Sequence, residues 1–443
     1  MNEICDSMFP FSVDQDYYIY NIHTGVICRS KEKINNALKR FEIPDVFGEG
    51  VEPELLNFIT ASKKIDCKKY KIRNFTKIEK EDWLNGEVVH NLWLSLTENC
   101  NLRCRYCFGE YGNNSIENTM SIDTAKRCID YFFKYANRYV DYYSVRFFGG
   151  EPLLNKNVLK FSIEYINEWA QKVGKKIYYL ITTNGTLIDN EIMKLILDNN
   201  VGVNISVDGN QRTHDFNRIF KDGSGSFDKV IQCIKEFKNN GYNNILARMT
   251  LSKTGISSLQ DDISFLWDVG FNEIFLDLVE TDKEELAVDE KDIATVNLQI
   301  GSIFELMKEE YLKTQNNSKV LRNITDVYSF IDQRLIKEAC MYYNPFTIQF
   351  KSNGEIYKCC RAIGKDSLFA GDVEHGVNWG GYYRNYSYNS GCEQCWAKRL
   401  CGGGCHLVKN RKAHCAFSKI MYYYGMQYYT LLNKKNKKTL LNI

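Results

Sequence analysis

The chain has 443 residues, 44% of them hydrophobic and 25% charged, an ordinary composition for a folded protein with a buried core. Its 57 Lys and Arg residues nearly balance its 55 Asp and Glu residues, giving a net charge of +2. This balance argues against a nucleic-acid partner, and no uncharged apolar run reaches the roughly 18 residues of a membrane span. The first residues lack a signal-peptide pattern, so we expect a cytoplasmic protein without a membrane partner.

The sixteen cysteines are distributed unevenly along the chain. Five are scattered, at Cys5, Cys28, Cys67, Cys128 and Cys233. Three lie within residues 100–107, and eight lie within residues 340–415. Because grouped cysteines in a reducing cytosol indicate a metal centre more often than disulfides, we expect the two groups to bind metal. The scattered thiols are expected to pack as small hydrophobic groups.

The first predicted elements form a small α+β domain over residues 1–88. A hairpin is predicted over residues 17–28, and two helical patterns follow at 33–41 and 53–61.

From residue 91 onward, apolar or β-branched runs alternate with amphipathic helices. The predicted strands are 92–96, 143–148, 177–182, 202–207, 245–251 and 273–279. Two of the predicted helices cover 121–138, with Ser121 as the N-cap, and 227–239. This alternation predicts an α/β fold, a parallel sheet curved into a partial (β/α)6 barrel over residues 89–320. On such folds the chemistry lies at the carboxyl ends of the strands.

The first cysteine group directly follows the first barrel strand. Cys100, Cys104 and Cys107 have the spacing CxxxCxxC, and three thiolates on one loop can hold three irons of a cubane. Zinc is the weaker interpretation, because a structural zinc site prefers four protein ligands and no fourth Cys or His is near in sequence. The loop resembles that of the radical S-adenosylmethionine (SAM) superfamily. The resemblance implies that the amino and carboxylate groups of SAM bind the fourth, open iron.

Further motifs follow the next strands in the order that this resemblance implies. An aromatic residue near the adenine precedes the third cysteine, and a Gly-Gly-Glu-Pro turn for the SAM amino group follows the second strand. Ribose contacts are implied after the third and fourth strands, and an arginine for the SAM carboxylate on the fifth, where a surface or sheet-edge cation is the alternative. The implied SAM-binding residues are Tyr106, Gly149, Gly150, Glu151, Asn184, Ser206, Asp208 and Arg248.

The resemblance also implies the chemistry. A reduced cluster passes one electron to SAM, which splits into methionine and a 5′-deoxyadenosyl radical that abstracts hydrogen from a substrate in the barrel. A low-potential ferredoxin or flavodoxin is the implied electron donor.

The second cysteine group has a pattern of its own within residues 321–443. Two cysteines flank Gly354, a Cx2Cx5Cx3C segment follows after a gap, and one further cysteine closes the pattern. This resembles the SPASM extension of radical SAM enzymes, which carries two auxiliary [4Fe–4S] clusters; a pair of zinc knuckles is the alternative. The resemblance assigns Cys392, Cys395, Cys401 and Cys415 to one cluster and Cys340, Cys359 and Cys405 to the other.

Two positions depart from the family's pattern. Phe346 stands where some members have a further cysteine, which implies an open iron on the cluster of Cys340, Cys359 and Cys405. Cys360 stands where sulfatase-maturing members have a catalytic Asp. Because neighbouring strand residues point to opposite sides, Cys360 is not expected to join Cys359 on one cluster. Cys360 is the candidate catalytic residue, as a substitute ligand or reactive thiol, with a buried inert thiol as the alternative.

The whole pattern most resembles SPASM maturases that form thioether cross-links in ribosomally made peptides, of the sactipeptide or ranthipeptide type. The implied partner is a cysteine-containing precursor peptide, and residues 1–88 are a candidate leader-peptide recognition domain or a structural cap. The alternatives are sulfatase-type formylglycine maturation and carbon–carbon or carbon–oxygen cross-linking. A non-catalytic iron–sulfur electron carrier is the alternative from another class, although it would not need the SAM motifs.

Overall fold

The computed structural model describes the greater part of the chain. The described residues are 8–22, 25–32, 35–36, 89–109, 119–333, 346–379, 391–393, 395–433 and 441–442. The helical patterns predicted at 33–41 and 53–61 fall wholly or mostly outside these ranges, as do Cys5, Cys67 and Cys340. None of the cysteines within the described ranges forms a disulfide.

The amino-terminal residues form a small antiparallel sheet of strands β1 (Met8–Val13), β2 (Asp16–Asn21) and β3 (Ile27–Ser30). The predicted hairpin is therefore confirmed as β2 and β3. A fourth, parallel strand at Leu441–Asn442 pairs with β3, so the two ends of the chain share this sheet.

Six parallel strands form the centre of the molecule, and each pairs with the next in sequence order. They are β4 (Asn91–Thr97), β5 (Tyr142–Gly149), β6 (Lys176–Thr183), β7 (Gly202–Ser206), β8 (Ile245–Leu251) and β9 (Glu273–Leu278). All six predicted strands are present, and the predicted parallel α/β sheet is confirmed. Because the strands run in parallel, their carboxyl ends meet at one edge, and the loops that follow them lie together.

Helices cover one face of this sheet and carry its apolar core. They are α1 (Ile122–Tyr135), α2 (Lys156–Val173), α3 (Asn190–Asp198), α4 (Gln211–Asn217), α5 (Phe227–Asn239), α6 (Leu259–Val269) and α7 (Ile293–Thr314). Helix α1 begins as predicted, since the Ser121 hydroxyl accepts a hydrogen bond from the Thr124 N–H at 3.0 Å. Cys128 and Cys233 are buried in this core, as predicted for packing thiols.

The sheet continues beyond the predicted barrel in both directions. Strand β10 (Val320–Leu321) pairs with β9 and leads into helix α8 (Arg322–Asp332). On the other side, β11 (Thr347–Phe350) pairs in parallel with β4. Three further antiparallel strands follow β11: β12 (Glu355–Tyr357), β13 (Phe369–Asp372) and β14 (Gly376–Val377). Residues of the second cysteine region are thus hydrogen-bonded directly to the barrel sheet.

The last described helices are α9 (Lys398–Cys401) and α10 (Arg411–Asn433). Helix α10 packs against α8 and against the amino-terminal sheet, where Tyr18, Tyr20 and Met426 share one apolar cluster. Within the described ranges, no helix combines the length and the apolar stretch that crossing a bilayer requires.

Contact between α8 and α10 depends on the absence of a side chain at Gly425. A Cβ there would lie 2.5 Å from Val327 Cβ and 2.9 Å from the Ile324 carbonyl oxygen. We expect Gly425→Ala to cost about 1–3 kcal/mol of stability and to lower the melting temperature, because the helices must separate. The control is Gly255→Ala, whose Cβ would have an ordinary contact of 3.5 Å with Thr213 Cγ2. Equal melting temperatures for the two variants would contradict this packing.

Candidate active site

The three-cysteine loop, residues 100–107, lies at the carboxyl edge of the barrel directly after β4. A segment after α4, residues 217–220, runs antiparallel beside it. The Arg103 N–H donates to the Ile219 carbonyl at 2.7 Å, and the Arg105 N–H donates to the Asn217 carbonyl at 2.9 Å. These bonds hold the backbone between the first and third cysteines in one register, so the loop has a fixed place over the barrel.

A buried carboxylate, Asp208, lies under this loop and is fully enclosed. Arg218 donates to both of its oxygens, from Nε at 3.0 Å and from Nη2 at 3.1 Å. The Tyr106 hydroxyl and the Thr250 N–H, at 3.0 Å, donate to the same carboxylate. A bidentate guanidinium and two further donors satisfy a buried carboxylate well. Asp208 therefore orients Tyr106 and Arg218; its implied contact with a ribose stays a prediction.

Arg218 is itself 8% exposed and connects Asp208 to the cysteine loop. Its guanidinium carbon lies 5.4 Å from the centre of the Tyr106 ring. Burial raises the pKa of the Cys104 thiol to about 11, and the neighbouring Arg218 opposes this rise. Burial also raises the pKa of Cys100, to about 12. Both thiols are thus protonated at neutral pH until a metal displaces the proton.

The Gly-Gly pair at the end of β5 permits close contact with the start of the cysteine loop. Gly149 has φ +142°, and a Cβ on it would lie 2.2 Å from the Thr97 carbonyl oxygen. A Cβ on Gly150 would lie 2.3 Å from the Asn99 carbonyl oxygen. Only glycine fits at either position without moving the backbone that leads into Cys100.

Glu151 connects the second and third strand ends from a buried position. Its carboxylate accepts from the Asn184 N–H at 2.7 Å, the Thr183 hydroxyl at 2.7 Å and the Leu153 N–H at 3.1 Å. Burial raises the pKa of Glu151 to about 7. The Asn184 amide in turn donates to Asn101 Oδ1 at 2.8 Å, beside Cys100. The predicted SAM-binding residues of the second and third strands are therefore brought to the cysteine loop.

Arg248 lies inside the barrel. Strand β8 runs between β7 and β9, so Arg248 is not a sheet-edge cation, and its guanidinium contacts the Asp277 carboxylate. Ser206 is its parallel partner at the end of β7.

Five cysteines of the second group line one cavity between α9 and α10. They are Cys392, Cys395, Cys401, Cys405 and Cys415. The four residues predicted to share one cluster are thus together. Cys405 lines this cavity and also acts electrostatically on the Cys359 thiol, adding to the rise in the pKa of Cys359 that burial dominates.

Neither Cys359 nor Cys360 is among the residues that line that cavity. The groups that act electrostatically on the Cys360 thiol are Arg361, Arg146 and Arg248, of which the last two lie on barrel strands. Both cysteines follow the end of β12, and Cys360 begins a short 3-10 helix, so the strand alternation used in the prediction does not apply to them. That Cys360 does not join Cys359 on one cluster stays a prediction. Burial raises the pKa of Cys360.

The donor sets fit iron–sulfur clusters by their chemistry. Across the described ranges, no three His, Cys, Asp or Glu side chains converge as they do around a single metal ion. A cubane offers each thiolate a different iron, so its ligands need not converge on one point.

Sequence reasoning missed Arg146, Arg218 and Glu280. Glu280 follows β9 and lies 3.2 Å from Arg361 and 3.3 Å from His414. These two contacts connect the end of a barrel strand to the second cysteine region. An arginine in the middle of an apolar strand was the available signal for Arg146. No local pattern distinguished Arg218 or Glu280, because their partners are distant in sequence.

A family model described as the radical SAM superfamily matches residues 94–266. This range begins within β4 and ends within α6, so it contains the three-cysteine loop and the Gly-Gly-Glu motif.

Three related proteins align with the chain. An uncharacterized protein of Methanocaldococcus jannaschii is 32% identical over 44% of this chain and 65% of its own length. The radical SAM cyclopropyl synthase TigE of Paramaledivibacter caminithermalis is 28% identical over 47% of this chain and 45% of its own length. A cysteine-type anaerobic sulfatase-maturating enzyme of Clostridium novyi is 27% identical, over 71% and 86% respectively. The chain thus spans less than two thirds of the length of the first two relatives.

Two solved structures share the fold. Native anSMEcpe with bound AdoMet has a TM-score of 0.65 at 20% identity, covering 78% of this chain and 99% of that one. Streptococcus suis SuiB bound to its precursor peptide SuiA has a TM-score of 0.51 at 15% identity, covering 91% and 95%. Residues 94–266 thus match the radical SAM superfamily, and the predicted radical SAM α/β fold is confirmed.

We expect Arg218→Gln to lose about 3–5 kcal/mol of stability, because it leaves the buried Asp208 carboxylate without its cation. It should also lower the iron retained by the three-cysteine loop after reconstitution. The matched control is Arg322→Gln, which removes an exposed ion pair with Glu273 and should cost about 0–1 kcal/mol. Thermal melts and iron analysis measure both effects. An Arg218→Gln protein that melts and loads like the control would contradict the role of this ion pair.

Proposed function

We propose that this chain, whose residues 94–266 match the radical SAM superfamily, joins a cysteine of a ribosomally made precursor peptide to a carbon of another residue. The observation that carries the proposal is the arrangement around Cys359 and Cys360. The Cys405 thiol acts electrostatically on Cys359, and Arg146 and Arg248 on the barrel strands act on Cys360. Cys359 and Cys405 would hold an auxiliary cluster, which would supply electron-transfer chemistry next in sequence to a thiol at the barrel interior.

The residues of the barrel edge fit the proposed cofactors. The three-cysteine loop would hold one [4Fe–4S] cluster, with SAM beside Tyr106, Gly149, Gly150, Glu151, Asn184, Ser206, Asp208 and Arg248. When bound, this pair supplies hydrogen-atom abstraction from carbon. The chain's own contribution is to position Tyr106 through Asp208 and to hold the loop in register through residues 217–220.

The second cysteine group is proposed to hold two auxiliary clusters of a SPASM extension. Cys392, Cys395, Cys401 and Cys415 would hold one, and Cys340, Cys359 and Cys405 the other. The shared cavity of the first set supports this assignment. Cys340 lies outside the described residues, so its part rests on the sequence pattern alone.

The overall reaction balances without an external oxidant. The peptide loses one hydrogen from carbon and one from sulfur, and a C–S bond forms between those atoms. SAM is converted to methionine and 5′-deoxyadenosine, and the 5′-deoxyadenosine carries the hydrogen taken from carbon. The thiol proton is released to solvent, which balances the loss of the positive sulfonium charge of SAM. The electron that starts each turnover is returned, so a ferredoxin or flavodoxin is needed only to prime the reaction.

The amino-terminal sheet is proposed to bind the leader of the precursor peptide. Strand β1 is at the edge of this sheet among the described strands, and a peptide can add to such an edge as a further strand. The solved SuiB structure is bound to the precursor peptide SuiA, which supports a peptide partner for this fold.

Formylglycine formation is the second candidate, because the relative from C. novyi is a sulfatase-maturating enzyme that this chain covers over 86% of its length. That reaction needs a base beside the substrate. The carboxylates at the barrel interior and mouth are paired, Asp277 with Arg248 and Glu280 with Arg361, and position 360 offers a thiol. This pairing favours thioether formation.

We expect anaerobic reconstitution to give about twelve iron and twelve sulfide atoms per chain, as three cubanes require. The double variant Cys392→Ala and Cys401→Ala should hold about eight of each, since one cubane loses two of its thiolates. Elemental analysis measures both. About four iron atoms in fully reconstituted protein would refute the auxiliary clusters.

We expect mass spectrometry of a treated precursor peptide to show the loss of two hydrogens together with one thiol that iodoacetamide no longer alkylates. The substrate to test is a cysteine-bearing peptide encoded beside this gene, and the control is the same peptide with serine in place of cysteine. Loss of mass with every thiol still alkylated would indicate a carbon–carbon link. An aldehyde trapped by hydrazine would indicate formylglycine.

A further inference from the structure

Strand β5 places the positively charged side chain of Arg146 inside the barrel. Its residues alternate, and Val145 and Phe147 are fully buried in the core beneath the helices. Because successive strand residues point to opposite faces, Arg146 between them points into the barrel. Arg146 is half-buried there, in a strand that is otherwise apolar or aromatic at its centre.

The Arg146 guanidinium lies over an aromatic ring but has no carboxylate partner. Its central carbon is 4.4 Å from the centre of the Trp93 ring on the neighbouring strand β4. Within the described ranges, no Asp or Glu forms an ion pair with it. Burial and the nearby Arg248 lower the pKa of Arg146 to about 10. A guanidinium in such surroundings gains from any anion that enters the barrel.

The other charges that face this region do not neutralise Arg146. Arg248 contacts Asp277, and these two side chains are 32% and 41% exposed inside the barrel. At the barrel mouth, Arg361 is paired with Glu280. Arg322, which also acts on Arg146, is paired with Glu273. Among these four described arginines, Arg146 is thus the one without a carboxylate partner, and it acts electrostatically on the Cys360 thiol. A single carboxylate would balance the charge of Arg146.

We propose that Arg146 binds a carboxylate of the substrate peptide, from an aspartate or glutamate side chain close to the carbon that loses hydrogen. This inference rests on the proposed peptide substrate and deepens it by naming an acidic residue. The planar guanidinium can form two parallel hydrogen bonds with a carboxylate, which fixes the orientation of the residue that carries it. The two arginines thus have different expected ligands: the carboxylate of SAM for Arg248 and a carboxylate of the substrate for Arg146.

The experiment measures binding of two small probes to the reconstituted, SAM-loaded full chain. The probes are N-acetyl-L-aspartate N-methylamide and its asparagine counterpart, which differ in charge but hardly in shape. Calorimetric titration should show that the wild-type protein binds the aspartate probe at least tenfold more tightly. Arg146→Gln should remove this preference. Arg146→Lys should keep part of it, because lysine retains the positive charge but cannot form the two parallel hydrogen bonds of a guanidinium. Arg127→Gln, which removes an exposed arginine on helix α1 that does not act on Arg146, should keep the full preference.

Three outcomes would overturn the proposal. The first is a wild-type protein that binds both probes equally, and the second is an Arg146→Gln protein that still prefers the aspartate probe. The third is a tenfold loss of SAM affinity in Arg146→Gln, which would assign Arg146 to the carboxylate of SAM. Because the probes bind without turnover, these results are independent of which bond the enzyme forms in the precursor peptide.

Discussion

The buried pair of Asp208 and Arg218 is the interaction on which the candidate site depends most. A carboxylate fully removed from water is stable only when its charge and its lone pairs are satisfied, and four donors meet at Asp208. Those donors come from the cysteine loop, from the segment after α4 and from β8. One side chain at the end of β7 therefore fixes the relative positions of three elements that are far apart in sequence.

Close backbone packing supplies the second constraint. The glycines at 149 and 150 let the end of β5 approach the residues that precede Cys100. Glu151 then binds the backbone of the third strand end. The loops at the carboxyl edge are thus linked to one another by close packing and hydrogen bonds. A substitution at one strand end is therefore expected to shift the backbone at the next.

The carboxyl-terminal region is joined to the barrel through the sheet, and its two adjacent cysteines interact with different groups. Strand β11 continues the barrel sheet beside β4, and β12 leads to the adjacent Cys359 and Cys360. The Cys359 thiol interacts electrostatically with Cys405 of the second cysteine group, and the Cys360 thiol interacts with Arg146 and Arg248 of the barrel.

Much of this was predictable from sequence, and the exceptions have a physical reason. The six barrel strands are long, buried runs between amphipathic helices, and Ser121 is a local capping signal, so pattern alone located them. The cysteine spacings identified both groups. Strands β10 to β14 have two to four residues each, too few to show a period. The bidentate contact of Asp208 with Arg218 and the lack, within the described ranges, of a carboxylate partner for Arg146 depend on three-dimensional neighbours, which no local pattern encodes.

The most direct test of the account is electron paramagnetic resonance of the reduced protein with and without SAM. It should be recorded on a Cys359→Ala, Cys392→Ala and Cys401→Ala variant, so that the signal comes from the three-cysteine loop. We expect a reduced [4Fe–4S] signal whose shape changes when SAM is added, because SAM would bind the iron that the three thiolates leave open. A cluster signal that does not change at saturating SAM, or a variant that holds no cluster, would contradict a SAM-binding cluster on the three-cysteine loop.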